Sequence, residues 1–293
     1  MTGAQMIAVV GQTASGKTDL GLLLAERLGG TVVNADSMQL YRGLEIGTAK
    51  TPVDQRRGIP HLLFDVLEIE QEASVARYQQ EARQAVSQLL AEGRTPIVVG
   101  GSGLYVRALL DRFEFPGTDP EVRSRLEERC QQEGPGALHA ELSRVDPAAA
   151  AQIHPHNARR IIRALEVIEL TGAPYSAQLP DGKYFFEPTV QVAIRWDYDQ
   201  LDRRINERTR EMFADGGIVE ETRALLDSGR HFGKTAARAT GYAQALAVLR
   251  SELTVPEAIE QVSLLTRQLA RRQMKWFKRD ERIRWLNPGQ LPG

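Results

Sequence analysis

The sequence predicts an α/β protein: a P-loop NTPase-like parallel sheet core that carries an inserted all-helical domain. Three observations predict it. A short apolar run, "MIAVV" (6–10), feeds directly into "GQTASGKT" (11–18), a Gly-rich turn of the GxxxxGK[ST] pattern. Helical spacing then alternates with further short apolar runs, the signature of βαβ units and parallel strands. Between about 117 and 187 the apolar runs stop and only helical patterns remain.

Taken in order, "MIAVV" reads as the first strand. "KTDLGLLLAERLGG" (17–30) spaces Leu20, Leu23, Leu24 and Leu28 along one helical face and stops at Gly29 and Gly30. "TVVNAD" (31–36) reads as a second strand. "ASVARYQQEARQAVSQLLAEG" (73–93) is an amphipathic helix that Ser74 can cap. "TPIVVGG" (95–101) is a buried strand, and "GLYVRALLD" (103–111) is the helix leaving it. After Pro116, "TDPEVRSRLEERCQQEG" (118–134) starts with Asp119 as cap and Pro120 at the first helical position. Helical readings continue through 146–155 and 156–172. "TVQVAIRW" (189–196) alternates as a strand, helices dominate from Asp199 to about Lys278, and "RIRWLN" (282–287) closes as a last strand. The expected domains are therefore a core of 1–115 plus 188–293 and a helical insertion of 116–187.

The 293 residues carry a formal charge of −1, which excludes a polycation, so any nucleic-acid contact must come from local basic patches. A single cysteine, Cys130, excludes an internal disulfide and clusters of two or more Cys around zinc. That composition suits a reducing cytoplasm. The first strand begins by residue 6, leaving no room for a signal peptide, and no apolar run reaches the ~18 residues of a membrane span.

The Gly-rich turn, Gly11, Gln12, Thr13, Ala14, Ser15, Gly16, Lys17 and Thr18, has the types an anion cradle needs. Glycines let backbone N–H groups point inward, the helix start adds its positive end, Lys17 reaches the terminal phosphates, and Thr18 Oγ can hold Mg²⁺. Which phosphates it holds stays open at this point. A nucleotide hydrolase of this type uses an apolar strand ending in Asp, and "IVVGGSG" has none. Asp36 is the first acid at a strand end, on the same side of a parallel sheet as the loop. It can act as a base, hold a metal-bound water, or merely cap a turn. Gly100, Gly101, Ser102 and Gly103 either let backbone approach a ligand or form a tight turn. Arg159, Arg160 and Arg163 share one helix surface, with Ile162, Leu165 and Ile168 on the other; such clusters are often only a solvated face. "RQLARRQMKWFKR" (267–279) interleaves Arg267, Arg271, Arg272, Lys275, Lys278 and Arg279 with Trp276 and Phe277, without an acid, as a phosphate-tracking surface would. His154 and His156 lack the partners of a metal site.

Together these motifs resemble the bacterial tRNA isopentenyltransferases, the tRNA dimethylallyltransferase family. The matches run nearly end to end: "GQTASGKT", "NADSMQLYRGLEIGTAK" (34–50), "GGSGLYVRALL" (100–110), "DPEVRSRL" (119–126), "IHPHNARRIIRALEVIELTG" (153–172), "RATGYAQAL" (238–246) and "TRQLARRQMKWFKR" (266–279). The phosphate loop is common to many families; the second and fifth stretches are far more specific. The resemblance implies transfer of a dimethylallyl group from dimethylallyl diphosphate to N6 of adenosine 37 in tRNA. The loop then holds a diphosphate leaving group, and carbon moves rather than phosphate.

The resemblance also implies roles. Asp36 and Ser102 take the catalytic positions, Asp36 as the base. Arg223 joins residues 11–18 at the diphosphate, and Thr18 and Asp36 serve Mg²⁺. The tRNA contacts are Asp36, Ser37, Met38, Gln39, Ser102, Arg123, Arg159, Arg160, Ile161, Ile162, Arg163, Arg238, Gly241 and Tyr242. The basic stretch adds Arg267, Arg271, Arg272 and Lys275. A cytoplasmic monomer with no membrane partner is expected. Gln12, Ser102, His156 and Arg159 depart from the family's usual Pro, Thr, Asn and Gln. Two rival readings use the same loop: a small-molecule kinase, which leaves the basic C-terminal helix unexplained, and a non-catalytic RNA-binding NTPase, in which Asp36 would be dispensable. An adenylate isopentenyltransferase would share the core without needing the insertion.

Overall fold

The computed structural model describes residues 6–178 and 182–290. Residues 1–5, 179–181 and 291–293, which the sequence assigns to the core and the insertion, lie outside them. The chain forms two compact units, 1–110 with 186–293, and 111–185.

The first unit is a parallel sheet. β1 (Met6–Val10), α1 (Lys17–Leu28), β2 (Thr31–Asn34), β3 (His61–Leu62), α2 (Val75–Ala91), β4 (Pro96–Gly100) and α3 (Gly103–Leu110) come first. Every strand pairing is parallel, which follows from strands separated by helical crossovers. Short apolar strands suit a sheet covered on both faces, and β1 and β2 are almost wholly buried. α1 ends as its sequence dictates: Gly29, at φ 58, returns its N–H to Ala25 O. Ser74 caps α2 through Arg77 N at 3.4 Å. β2 stops at Asn34, two residues short of the sequence reading, because the Asn34 side chain accepts from Asp36 N at 2.8 Å and ends the ladder. The short β3 edge strand carried no recognisable signal in the sequence.

The second unit contains α4 (Pro120–Glu133), α5 (Pro135–Val145), α6 (Pro147–Gln152) and α7 (Ala158–Thr171). Asp119 caps α4 by accepting from Glu121 N at 2.8 Å. Gly134, at φ 81, breaks the helix and Pro135 starts α5, a separate helix absent from the sequence reading. Leu126, Leu138, Leu142, Ile161, Ile162 and Leu165 make its core, with Cys130 packed at the edge. The unit's own ends pair, Asp111 bridging Tyr184 and Arg112 N donating to Lys183 O at 2.9 Å.

The chain then completes the first unit with β5 (Thr189–Ile194), α8 (Tyr198–Phe213), α9 (Gly217–Asp227), α10 (Tyr242–Leu249), α11 (Val255–Phe277) and β6 (Ile283–Leu286). The strand order is β3-β2-β4-β1-β5-β6. β1 lies inside, so the loop that follows it opens at the carboxyl end of the sheet beside the ends of β2 and β4, where parallel sheets bind ligands. Among the described residues no helix is long and apolar enough to cross a membrane.

Candidate active site

The Gly-rich turn runs from β1 to α1 with Gly11, Ala14 and Gly16 at positive φ, a backbone path that turns amide N–H groups inward. Several of its side chains are spent inside the loop. Ser15 Oγ donates to Gln12 O at 2.8 Å, and the Gln12 side chain is buried and donates to Ala270 O at 3.0 Å. Thr13 Oγ1 accepts from Arg208 at 2.9 Å. The Ser15 hydroxyl therefore serves the turn's own geometry.

Lys17 Nζ donates to Gln12 O at 2.5 Å and lines the cavity above the turn. Burial pushes its ammonium down to about 8, Arg208 adding to the lowering and Asp36 opposing it.

That cavity, about 190 Å³, is lined by Thr13 through Asp19, by Asp36, Gln39, Thr48 and Ala49, and by Val99, Gly100, Arg204, Arg208 and Gln273. The loop, Asp36 and Thr18 thus share one chamber. Asp36 is held by its neighbours: Asn34 grips its N–H, while Asn34 Nδ2 donates to Asp36 O at 3.0 Å and Leu63 O at 2.9 Å. Asp36 Oδ1 also accepts from Met38 N at 3.0 Å. It is both a turn cap and a carboxylate facing the cradle. Ser102 Oγ meets Ser37 N at 3.1 Å and Ser37 Oγ at 3.2 Å, joining the end of β4 to the segment after β2. Gly100 permits this approach, since a Cβ there would stand 2.2 Å from Ala35 O. Gln273 of α11 braces both loops, accepting from Thr13 N at 2.8 Å and donating to Gly101 O at 2.9 Å.

The cations at the cradle differ from those the sequence suggested. Arg223 lies on α9, half-exposed and paired with Glu220 at 3.2 Å, and does not line the cavity. Arg204 and Arg208 of α8, by contrast, both line it. Arg204 Nε donates to Ala14 O at 2.9 Å and its guanidinium stacks on Trp196 at 4.6 Å. Trp196 in turn donates to Ser15 O at 3.0 Å. Burial pushes Arg208 down, Asp36 countering it, and Arg208 Nε is buried with no partner among the described residues. A buried donor left without a partner is costly, and an anion in the cradle would make a strong charge-assisted partner for this guanidinium. Arg204 and Arg208, spaced i,i+4, lie beside the buried Leu201 and Ile205 of α8, and that periodicity was the available signal.

The remaining sequence candidates divide. Arg267 bonds Asn206 at 2.6 Å; Arg271 pairs with Asp202 at 2.8 Å and stacks on Tyr198 at 4.0 Å, so both tie α11 to α8 while the Arg271 side chain stays 36% exposed. Arg272 and Lys275 are exposed. Tyr242 is fully buried, with its hydroxyl donating to Glu221 at 2.5 Å and accepting from Gly47 N at 3.1 Å. Gly241 is the residue before α10, at φ 99. Both therefore shape the turn beside exposed Arg238 and do not touch RNA through side chains. In the second unit, Ile161 and Ile162 are core residues, which corrects their place among RNA contacts. Arg123 and Arg163 converge on buried Glu166 at 2.5 and 2.8 Å. Burial pushes that carboxyl up, but the two arginines outweigh it and hold it below the usual range. Arg159 and Arg160 alone of that cluster are exposed.

A Gly-rich cradle, an acid and a hydroxyl in one chamber at the carboxyl end of a parallel sheet define an α/β enzyme acting on a substrate with a diphosphate or polyphosphate group. The IPP transferase family model matches residues 39–280, and the chain belongs to that family. It is 55% identical over 98% of its length to a tRNA dimethylallyltransferase of Salinispora tropica, covering 89% of that protein. It is 54% identical to one of Streptomyces coelicolor, covering 97% of this chain and 91% of the relative. Among solved structures it resembles a full-length tRNA isopentenylpyrophosphate transferase of Bacillus halodurans, with TM-score 0.68, 37% identity, and coverage of 97% of this chain and 90% of the other. A eukaryotic dimethylallyltransferase acting on tRNA superposes with TM-score 0.83 and 27% identity, over 96% of this chain and 73% of the other.

Proposed function

We propose that this chain transfers a dimethylallyl group from dimethylallyl diphosphate to N6 of adenosine 37 in tRNA. One observation carries the reading: the phosphate cradle and the Asp36 carboxylate line a single cavity. In the reaction the allylic C1–O bond breaks and its electron pair leaves with diphosphate. The N6 lone pair forms the new C–N bond, and the N6 proton passes to Asp36. N6 is a weak nucleophile because its lone pair is delocalised into the purine, so removing its proton as the bond forms counts. Charge builds on the leaving diphosphate, and the loop, Lys17 and Arg208, which line the cavity, would stabilise it there. Ser102 and Ser37 fix the wall beside Asp36 against which the flipped base is received.

Thr18 and Asp36 line the same cavity and fit Mg²⁺, which takes one or two protein oxygens together with substrate phosphates and water. Bound there, the ion would neutralise the leaving group. Among the described residues no cluster of three or more His, Cys, Asp or Glu offers an all-protein metal site. Exposed Arg159, Arg160, Arg238, Arg272 and Lys275 are among the cations that suit RNA phosphates, and the helical insertion is assigned to gripping the anticodon stem-loop. The enzyme acts as a cytoplasmic monomer in this reading. The test is label transfer from prenyl-labelled dimethylallyl diphosphate to two tRNAs that differ only in adenosine or guanosine at position 37. Label is expected on the first alone. Labelling of both, or of neither, overturns the reading.

A further inference from the structure

Two residues that line the cradle cavity, Thr48 and Ala49, come from a stretch with no helix or strand of its own, residues 44–50. Inside it, Ala49 N donates to Ile46 O at 3.1 Å and Lys50 N to Glu45 O at 3.0 Å. Its position in the fold depends on what grips it from outside. The far end is gripped by buried Lys50, whose ammonium meets Tyr41 O at 2.8 Å, Glu45 at 2.8 Å and Asp65 at 2.6 Å. The tip is gripped from α9 and α10. Glu221 Oε2 accepts from Ile46 N at 3.0 Å, and Glu221 Oε1 accepts from the Tyr242 hydroxyl. That hydroxyl accepts in turn from Gly47 N at 3.1 Å. One carboxylate and one phenol thus satisfy two successive tip amides. Gly47 permits the fit, since a Cβ there would stand 2.4 Å from the Tyr242 ring.

The turn passes this constraint on. Gln39 Nε2 donates to Thr48 O at 3.0 Å and Ala49 O at 3.3 Å, and Gln39 N donates to Asp36 O at 3.2 Å. Gln39 and Asp36 both line the cavity, whereas Glu221 does not. A run of hydrogen bonds therefore leads from Glu221 through the 46–49 turn to Gln39 and the Asp36 segment. Burial pushes the Glu221 carboxyl up, with the Tyr242 hydroxyl opposing, so a carboxylate here costs stability that an apolar side chain would not. What the acid supplies instead is a single position for the tip. We propose that Glu221 is a positioning residue for the transfer: paired with Tyr242, it holds the 46–49 turn, and through Gln39 the Asp36 segment, in the alignment the reacting groups need. This rests on the prenyl-transfer reading above and adds a residue remote from the reacting atoms. Displacement at C1 needs nitrogen, carbon and leaving oxygen in line, and a misplacement of about 1 Å can cost about 10²-fold in rate.

The experiment pairs single-turnover transfer, at saturating tRNA and dimethylallyl diphosphate, with calorimetric binding of inorganic diphosphate and amide hydrogen exchange over 44–50. Glu221→Ala leaves the Ile46 amide and the Tyr242 hydroxyl without their acceptor, and should slow transfer about 10²-fold. Glu221→Gln keeps an acceptor for Ile46 but none for the phenol, and should recover about tenfold of that loss. Tyr242→Phe strips the Gly47 amide of its partner and should slow transfer about tenfold. Added to Glu221→Ala it should change little more, because the two side chains act as a unit. Glu220→Gln, at the exposed acid beside it, should leave the rate within about twofold. Each variant should still bind inorganic diphosphate within about twofold of wild type, since the Gly-rich turn is intact. The Ile46 and Gly47 amides should exchange at least about tenfold faster in Glu221→Ala. An unchanged transfer rate in Glu221→Ala overturns the proposal, as does unchanged exchange at 46 and 47. Loss of diphosphate binding in step with transfer also overturns it, making Glu221 a support of the whole fold. If exchange rises as expected but wild type moves no prenyl group to tRNA, the brace stands and the transfer reading fails.

Discussion

Lys17 gives the sharpest quantitative prediction. Its ammonium titrates at about 8, against an ordinary 10.5, because burial opposes the charge. At that value about 90% of Lys17 is protonated at pH 7 and about 10% at pH 9. Cradle affinity for a prenyl diphosphate should therefore fall about tenfold between those pH values, since only the charged form meets the anion. The terminal phosphate's own last ionisation, near ~6, is about 90% complete at pH 7 and acts in the opposite direction, raising affinity as pH rises. The assay is calorimetric titration with an unreactive dimethylallyl diphosphate analogue from pH 6.5 to 9.5. In Lys17→Arg the bend should vanish, because guanidinium keeps its charge to beyond about 12. A flat wild-type profile, or the same bend in Lys17→Arg, would refute the assignment of Lys17 to the phosphates. The sign for stability is opposite. The unfolded chain holds the Lys17 proton up to the ordinary lysine range while the fold releases it from about 8, so the ligand-free fold gains stability as pH rises through that window.

Further expectations bear on the other groups. Arg208→Gln should raise KM for dimethylallyl diphosphate at least about tenfold with tRNA affinity intact, whereas Arg223→Gln should change it less than about threefold; steady-state kinetics with each substrate varied decides between them. Asp36→Asn should slow single turnover by about 10²–10⁴-fold at saturating tRNA, and a loss below about threefold would remove Asp36 as base. Ile161→Ala should destabilise the 111–185 unit by about 2–5 kcal/mol in denaturant titration. In contrast, Arg159→Gln and Arg160→Gln should leave stability unchanged and each reduce the salt slope of log tRNA affinity by about 0.7–0.9. An unchanged slope would make those arginines a solvated face.

What the sequence revealed depends on distance along the chain. β1, the Gly-rich turn and α1 were legible because strand, glycines and helix are neighbours, and the anion cradle is local geometry. Asp36 was legible because a strand end in a parallel sheet has only one place to be. Arg208 was not, because its approach to Thr13 depends on how α8 packs, 195 positions further on. The loop motif cannot encode that contact, although the i,i+4 arginines of α8 hinted at it. Gln273 was hidden in the same way within a stretch that read as basic. Burial misled at Ile161, Ile162 and Tyr242. A motif marks a stretch, but within a helix only some of its residues face outward, and the rest position them. Arg271 shows the same limit for charge: no acid lies beside it in sequence, yet Asp202 meets it across α8. β3 escaped because two residues are too few to show a period.

The central claim is that the loop holds a leaving group and that carbon is what moves. The direct measurement is incubation of the chain with unmodified tRNA, dimethylallyl diphosphate and Mg²⁺, without ATP, followed by nucleoside mass analysis and assay of released diphosphate. The account predicts N6-(dimethylallyl)adenosine from position 37, with one diphosphate released per nucleoside formed. An unmodified adenosine accompanied by phosphate release that requires ATP would contradict it.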